Sequence, residues 1–147
     1  MIESQRTLVL STADPDPWCA PVYYLYDDRR FHFFSSPGSR HIGAARRARR
    51  CAAAIFRDSD DWRRIEGLQM EGRVEETPLG PRTSAAFARY VARFPTVRDL
   101  FAGDALDLDR FLARSRTRLY AFVPDRVHYL NNEAGLGKRS EIRLPGT

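Results

Sequence analysis

Five side chains suited to holding an anion stand within seven residues: Ser35, Ser36, Ser39, Arg40 and His41. The serines supply hydroxyl donors, and Arg40 supplies a planar fork that matches phosphate oxygens. Pro37 and Gly38 interrupt the run, which reads as a turn. Ser39 is a good N-cap for a helix beginning at Arg40. Free backbone N–H groups and the positive end of the helix dipole gather at such a terminus. The chemistry this predicts is capture of a phosphate. The same pattern also describes an ordinary Ser-capped helix with solvated arginines, and these residues alone leave both readings open.

Side-chain acid–base machinery is not evident elsewhere. His32, His41 and His128 have no Cys or His at ligand spacing. There is no Gly-x-Ser-x-Gly elbow, Walker loop or Gly-x-Gly-x-x-Gly turn. Asp58, Asp60 and Asp61 read as a solvated loop. If the protein is an enzyme, a bound cofactor carries the reaction.

The elements around the serine turn follow from pattern. Arg30 to Ser35 is an aromatic-rich strand that delivers the hydroxyls, and Arg40 to Arg50 is helical, with Ile42, Ala45 and Arg49 near one face. Thr7 to Thr12 reads as a first strand, Asp14 to Pro17 as a turn, and Trp18 to Tyr26 as a second strand. Alternation puts Tyr24 and Tyr26 on one face of it and Tyr23 on the other. Asp27 to Arg30 is a polar hairpin. Cys51 to Phe56 reads as a buried fourth strand, although its alanines suit a helix equally. Arg57 to Arg64 is a charged loop, and Ile65 to Glu76 a fifth strand whose Gly72 marks a bulge or a close approach. Pro78 and Pro81 open a helix that Pro95 ends, and Leu106 to Ser115 is a second, shorter one. Leu119 to Val123 and Arg126 to Leu130 read as two last strands separated by Pro124 and Asp125, and Asn131 to Thr147 as loop. The whole predicts a mainly β protein, an antiparallel barrel with attached helices.

The 147 residues suggest one domain spanning 1–147, large enough to bury roughly 68–70% of its unfolded surface. Net charge is +5, and Lys138 is the single lysine. A basic balance favours an anionic partner without saying which. Cys19 and Cys51 read as reduced, buried thiols rather than a disulfide framework. No apolar run approaches a membrane span, and Met1 to Thr12 lacks signal-peptide features, so the expected location is the cytoplasm.

The order of these pieces resembles the FMN-binding split barrels, the fold of pyridoxamine 5'-phosphate oxidase, and most closely their small YhbP-like branch. The residues that carry the resemblance are Trp18-Cys19-Ala20, Tyr24-Leu25-Tyr26-Asp27, Ser39-Arg40-His41, Glu71-Gly72-Arg73-Val74, Arg93-Phe94-Pro95 and Gly135-Leu136-Gly137-Lys138. It implies a Greek-key split barrel in a homodimer, with flavin sites at the subunit interface. By resemblance Cys19, Ala20, Pro21, Val22, Tyr23 and Tyr24 line the isoalloxazine ring, largely through backbone groups. Phe34 and Ser35 lie beside ribityl and phosphate. Ser36, Ser39, Arg40 and His41 hold the phosphate, and Gln69 is the nearest match to a glutamine the oxidase places near its flavin. His41 stands where the family has lysine, and Cys19 and Tyr24 stand where the oxidase has basic residues. The residues that bind pyridoxal phosphate have no clear match, so pyridoxamine phosphate oxidation is not expected. The resemblance implies a flavin-dependent oxidoreductase of unspecified substrate. The alternatives are a non-catalytic flavin- or haem-binding dimer and, from the charge run at Arg46, Arg47, Arg49 and Arg50, a nucleic-acid-binding protein.

Overall fold

The alternation of the strand segments sorts their side chains onto two faces of one curled sheet. A computed structural model describes residues 1–101 and 107–146. The strands are β1 (Thr7–Ala13), β2 (Pro17–Tyr23), β3 (Leu25–Asp27), β4 (Arg30–Ser35), β5 (Cys51–Phe56), β6 (Glu66–Glu76), β7 (Arg118–Asn131) and β8 (Arg139–Glu141). Helix α1 (Arg40–Ala48) lies between β4 and β5, and α2 (Pro81–Arg93) and α3 (Leu108–Ser115) lie between β6 and β7. All pairings are antiparallel, in the order β2-β1-β5-β6-β7-β4-β3, with β8 added to β7. The two ends of that path, β2 and β3, are separated in the chain by Tyr24 alone. A flat sheet cannot satisfy that connection, so the sheet must curl into a barrel.

The inner face is apolar. Leu8, Leu10, Phe31, Phe33, Ile55 and Phe122 are fully buried there. Tyr24 and Tyr26 point inward as alternation predicts, and their hydroxyls donate to the carbonyls of Ile2 (2.6 Å) and Pro145. On the outer face of β4, Phe34 packs edge-on against Tyr90 and Phe87 of α2 and Phe111 of α3, at 4.9, 6.1 and 4.8 Å between ring centroids. Helices α2 and α3 therefore cover the β3-β4-β7 side, whereas α1 packs on β1, β2 and β6.

Several expectations are corrected. The predicted strand from Trp18 to Tyr26 is two strands, because the chain changes partners from β1 to β4 at Tyr24. The two predicted last strands are one continuous β7. Pro124 has no N–H, and the register shifts there: Glu71 faces Arg126 while Gly72 faces Pro124, which leaves Asp125 bulged. The close approach expected at Gly72 is present, since an added Cβ would meet the Val123 carbonyl oxygen at 2.2 Å. The segment expected as loop after Asn131 contains a 3₁₀ turn at Asn132–Ala134 and β8. Cys51–Phe56 is a strand, not a helix. The last helix starts at Leu108, with Asp107 capping it through its side chain, and Leu106 lies outside the described residues. Cys19 is exposed rather than buried, and Cys51 is half-buried. Both are free thiols, as expected. Among the described residues no helix is long and apolar enough to cross a membrane.

Candidate functional site

The serine turn sits where β4 hands over to α1. Ser35 ends β4, which pairs with β7 down to Arg118, so its hydroxyl is carried by a fixed strand, and the residue is only 7% exposed. The Ser39 N–H bonds to the Ser36 carbonyl at 3.0 Å, which closes the turn, and the Gly38 N–H reaches the Ser36 hydroxyl at 3.3 Å. Ser39 occupies the N-cap position with extended backbone angles, but its side chain makes no capping hydrogen bond. Its hydroxyl instead turns to Ser35 Oγ at 3.2 Å and to His41 Nε2 at 3.3 Å. Ser35 Oγ meets the same ring nitrogen at 2.7 Å. Two hydroxyls and an imidazole nitrogen thus converge beside the first turn of α1.

Three properties make this turn receptive to an anion. The amides of Arg40, His41 and Ile42 have no acceptor within the helix, as at any helix start, and no side chain caps them. The first turn carries no acidic residue. Arg40 is exposed and lies over the Trp18 ring of β2, 4.3 Å from its centroid, and among the described residues no carboxylate pairs with it. Burial holds the His41 imidazole below its ordinary pKa, so the ligand-free ring is neutral near pH 7. The donor set is of the kind a phosphate group would fit, and Ser35, Ser39, Arg40, His41 and the α1 amides are the residues that would hold it.

Strand β2 supplies the second part. Among the described residues it pairs with β1 only, so its other backbone edge is open there, and Pro21 is at home on such an edge. Cys19, Pro21 and Tyr23 point outward and are exposed, while Ala20 and Val22 point toward the core. Cys19 Sγ lies 3.3 Å from Ser11 Oγ. The Tyr23 ring stacks on Phe94 at 4.7 Å. The rings of Tyr24 and Phe34 are committed elsewhere, one to the core and one to the helices, so each could serve a ligand only through its backbone. Burial pushes the Tyr24 hydroxyl up to about 12, which keeps it neutral.

Gln69 is not brought to this edge within one chain. It shares the outer face with Pro21 through the row Gln69, Ala54, Val9, Pro21. Three strand spacings separate the two ends of that row, about 14 Å. Trp18 is the site residue that sequence reasoning missed. No signal in the sequence brings it to Arg40; the contact appears only once β2 and the start of α1 are placed together.

The basic run on α1 is largely neutralised. Arg46 pairs with Glu76 at 2.6 Å, Arg47 with Asp14 at 3.4 Å and Arg50 with Glu71 at 3.4 Å. A face whose cations already hold carboxylates is a poor electrostatic footprint for nucleic acid.

Comparison with known proteins supplies a further set of observations. The profile of a family described as pyridoxamine 5'-phosphate oxidase matches residues 1–130. A curated UPF0306 protein from Klebsiella pneumoniae is 25% identical over 132 residues, covering 88% of this chain and 79% of its own length. Its group includes YhbP of Escherichia coli. Among solved structures, a FAD-binding protein from Mesorhizobium loti superposes with a TM-score of 0.64 at 20% identity, over 86% of this chain and 84% of its own. A heme binding protein from Mycobacterium smegmatis superposes with a TM-score of 0.70 at 19% identity, over 96% of this chain and 54% of its own.

Proposed function

Because the chain belongs to the pyridoxamine 5'-phosphate oxidase family, we propose that it is an FMN-binding split barrel that works as a homodimeric flavin-dependent oxidoreductase. The observation that carries this reading is the convergence at the start of α1. Open amides, the Ser35 and Ser39 hydroxyls and an Arg40 without a carboxylate partner stand one strand end from the open edge of β2. The phosphate anchors there, and the backbone of residues 19–24 faces the ring. Bound flavin supplies the electron or hydride transfer. This chain's residues bind and orient the flavin.

The outer face of β2-β1-β5-β6 supports the dimer. Val9, Pro21 and Ala54 lie in one small-residue row across it, and Phe56 beyond them is 58% exposed. A second copy laid on that face covers apolar surface and brings its own Gln69 toward the first copy's β2.

The visible spectrum of the purified protein, with the mass of whatever dissociates on denaturation, tests the reading. A flavin envelope and the mass of FMN are the expected result. A Soret band and the mass of haem would replace it with the haem-carrying reading, which the Mycobacterium smegmatis neighbour favours.

A further inference from the structure

We propose that His41 makes anion capture at this turn proton-coupled, so that the site takes up one proton as a phosphate monoester seats against α1. The inference rests on the FMN reading and adds the residue that sets the site's selectivity for charge. Its basis is geometric. Nε2 of His41 meets Ser35 Oγ at 2.7 Å and Ser39 Oγ at 3.3 Å. Both hydroxyls belong to the donor set proposed for the phosphate, so the ring nitrogen stands within hydrogen-bond reach of that set.

Among the described residues no carboxylate pairs with His41. Burial lowers its pKa and favours the neutral ring. On its own helix the neighbouring charge is Arg40, turned over Trp18 of β2. Farther along α1, Arg46 is engaged by Glu76 of β6, and Glu76 is also held by Arg118 of β7 at 2.7 Å. Arg47 is engaged by Asp14, just after β1. Cys51 lies beyond the far end of α1 from His41, and burial keeps its thiol neutral. An arriving dianion is therefore the first anionic partner the imidazole meets, and it stabilises the imidazolium.

The linkage has a definite sign. The free ring is neutral near pH 7 and the ring beside phosphate is protonated, so binding consumes a proton there. Affinity is highest below the free-state pKa, falls as pH rises from there to the bound-state pKa by up to about tenfold per pH unit for one coupled proton, and levels off above it. Phosphate monoesters lose their second proton near pH 6, so the window for measurement is pH 6.5 to 8.5.

Isothermal titration of apo-protein with FMN in two buffers of different ionisation enthalpy reads proton uptake directly. The wild type should take up a measurable fraction of a proton at neutral pH, and its Kd should rise with pH up to the bound-state pKa. His41→Gln should bind with no uptake and a flat profile. His41→Lys should be flat as well, because lysine stays charged. Riboflavin, which lacks the phosphate, should show no uptake on wild type. FMN binding by wild type without proton uptake overturns the inference while leaving the FMN reading standing. Absence of FMN binding at every pH overturns both. Wild-type uptake decides the matter even if a His41 variant fails to fold.

Discussion

Replacing Arg40 by alanine should weaken FMN binding about 5- to 30-fold and leave the fold intact. A hydrogen bond from a guanidinium to a phosphate oxygen contributes about 1.5–3 kcal/mol. In the free chain, however, the guanidinium already lies over Trp18 at 4.3 Å. An exposed cation–π contact of that kind contributes about 0.5–1 kcal/mol. If the guanidinium leaves the ring to reach phosphate, the difference of about 1–2 kcal/mol sets the loss in affinity. Trp18→Ala then releases Arg40 beforehand and should tighten FMN a few-fold. Stability should hardly move in Arg40→Ala, because the side chain is exposed and pairs with no carboxylate among the described residues. Fluorescence quenching of FMN titrated with apo-protein measures each Kd, and a thermal melt controls for folding. Equal affinity for wild type and Arg40→Ala, within twofold, would refute the placement of the phosphate.

Gly72→Ala should destabilise by about 3 kcal/mol, the upper end for overpacking, since the new methyl group would meet the Val123 carbonyl at 2.2 Å; a denaturant midpoint unchanged from wild type would contradict this. Burial holds both His32 and His41 below their ordinary pKa. The unfolded chain then binds more protons, so stability should be full above about pH 6.5 and should fall as the solution is acidified below it; melting temperatures between pH 7.5 and 5 read the slope, and no decline would be the adverse result. Cys19 is exposed, whereas burial pushes the half-buried Cys51 up to about 11. A thiol reagent at pH 8 should label Cys19 first, and labelling at equal rates would show that β5 opens readily.

Much of the architecture was legible because local pattern and tertiary structure agree. The Phe31 and Phe33 alternation, the Pro–Gly break before Ser39 and the glycine opposite Pro124 each name their own role. What stayed hidden depends on partners. Tyr24 looks like any strand residue, and only its two neighbours' pairing, one segment with β1 and the next with β4, shows that a strand ends there. Ser39 has the identity and backbone of a cap, yet its hydroxyl is drawn to Ser35 and His41 instead. The strand end at Ser35 was legible from the Pro–Gly break; what no local signal records is that Ser35 Oγ and His41 Nε2 come within reach of the Ser39 hydroxyl. Cys19 was misread as buried for a similar reason: its exposure follows from β2 being an edge strand. The pairing of Arg46, Arg47 and Arg50 with distant carboxylates likewise appears only once α1 is laid against β6 and the β1–β2 turn.

The single residue between β2 and β3 also fixes the phase of the whole seam. Cys19, Pro21 and Tyr23 face outward, Tyr24 and Tyr26 inward, and Leu25 lies beneath α2. Side chains alternate with a period of two, so adding or deleting one residue here would exchange inside for outside along a strand. The tyrosine hydroxyls would lose the carbonyls of Ile2 and Pro145, and Leu25 would swing into the space now filled by an aromatic ring. The seam therefore behaves like a clasp of fixed gauge. Length variation among relatives of this chain should accumulate in the Asp14–Asp16 and Asp28–Arg29 turns, which join neighbouring strands without setting that phase.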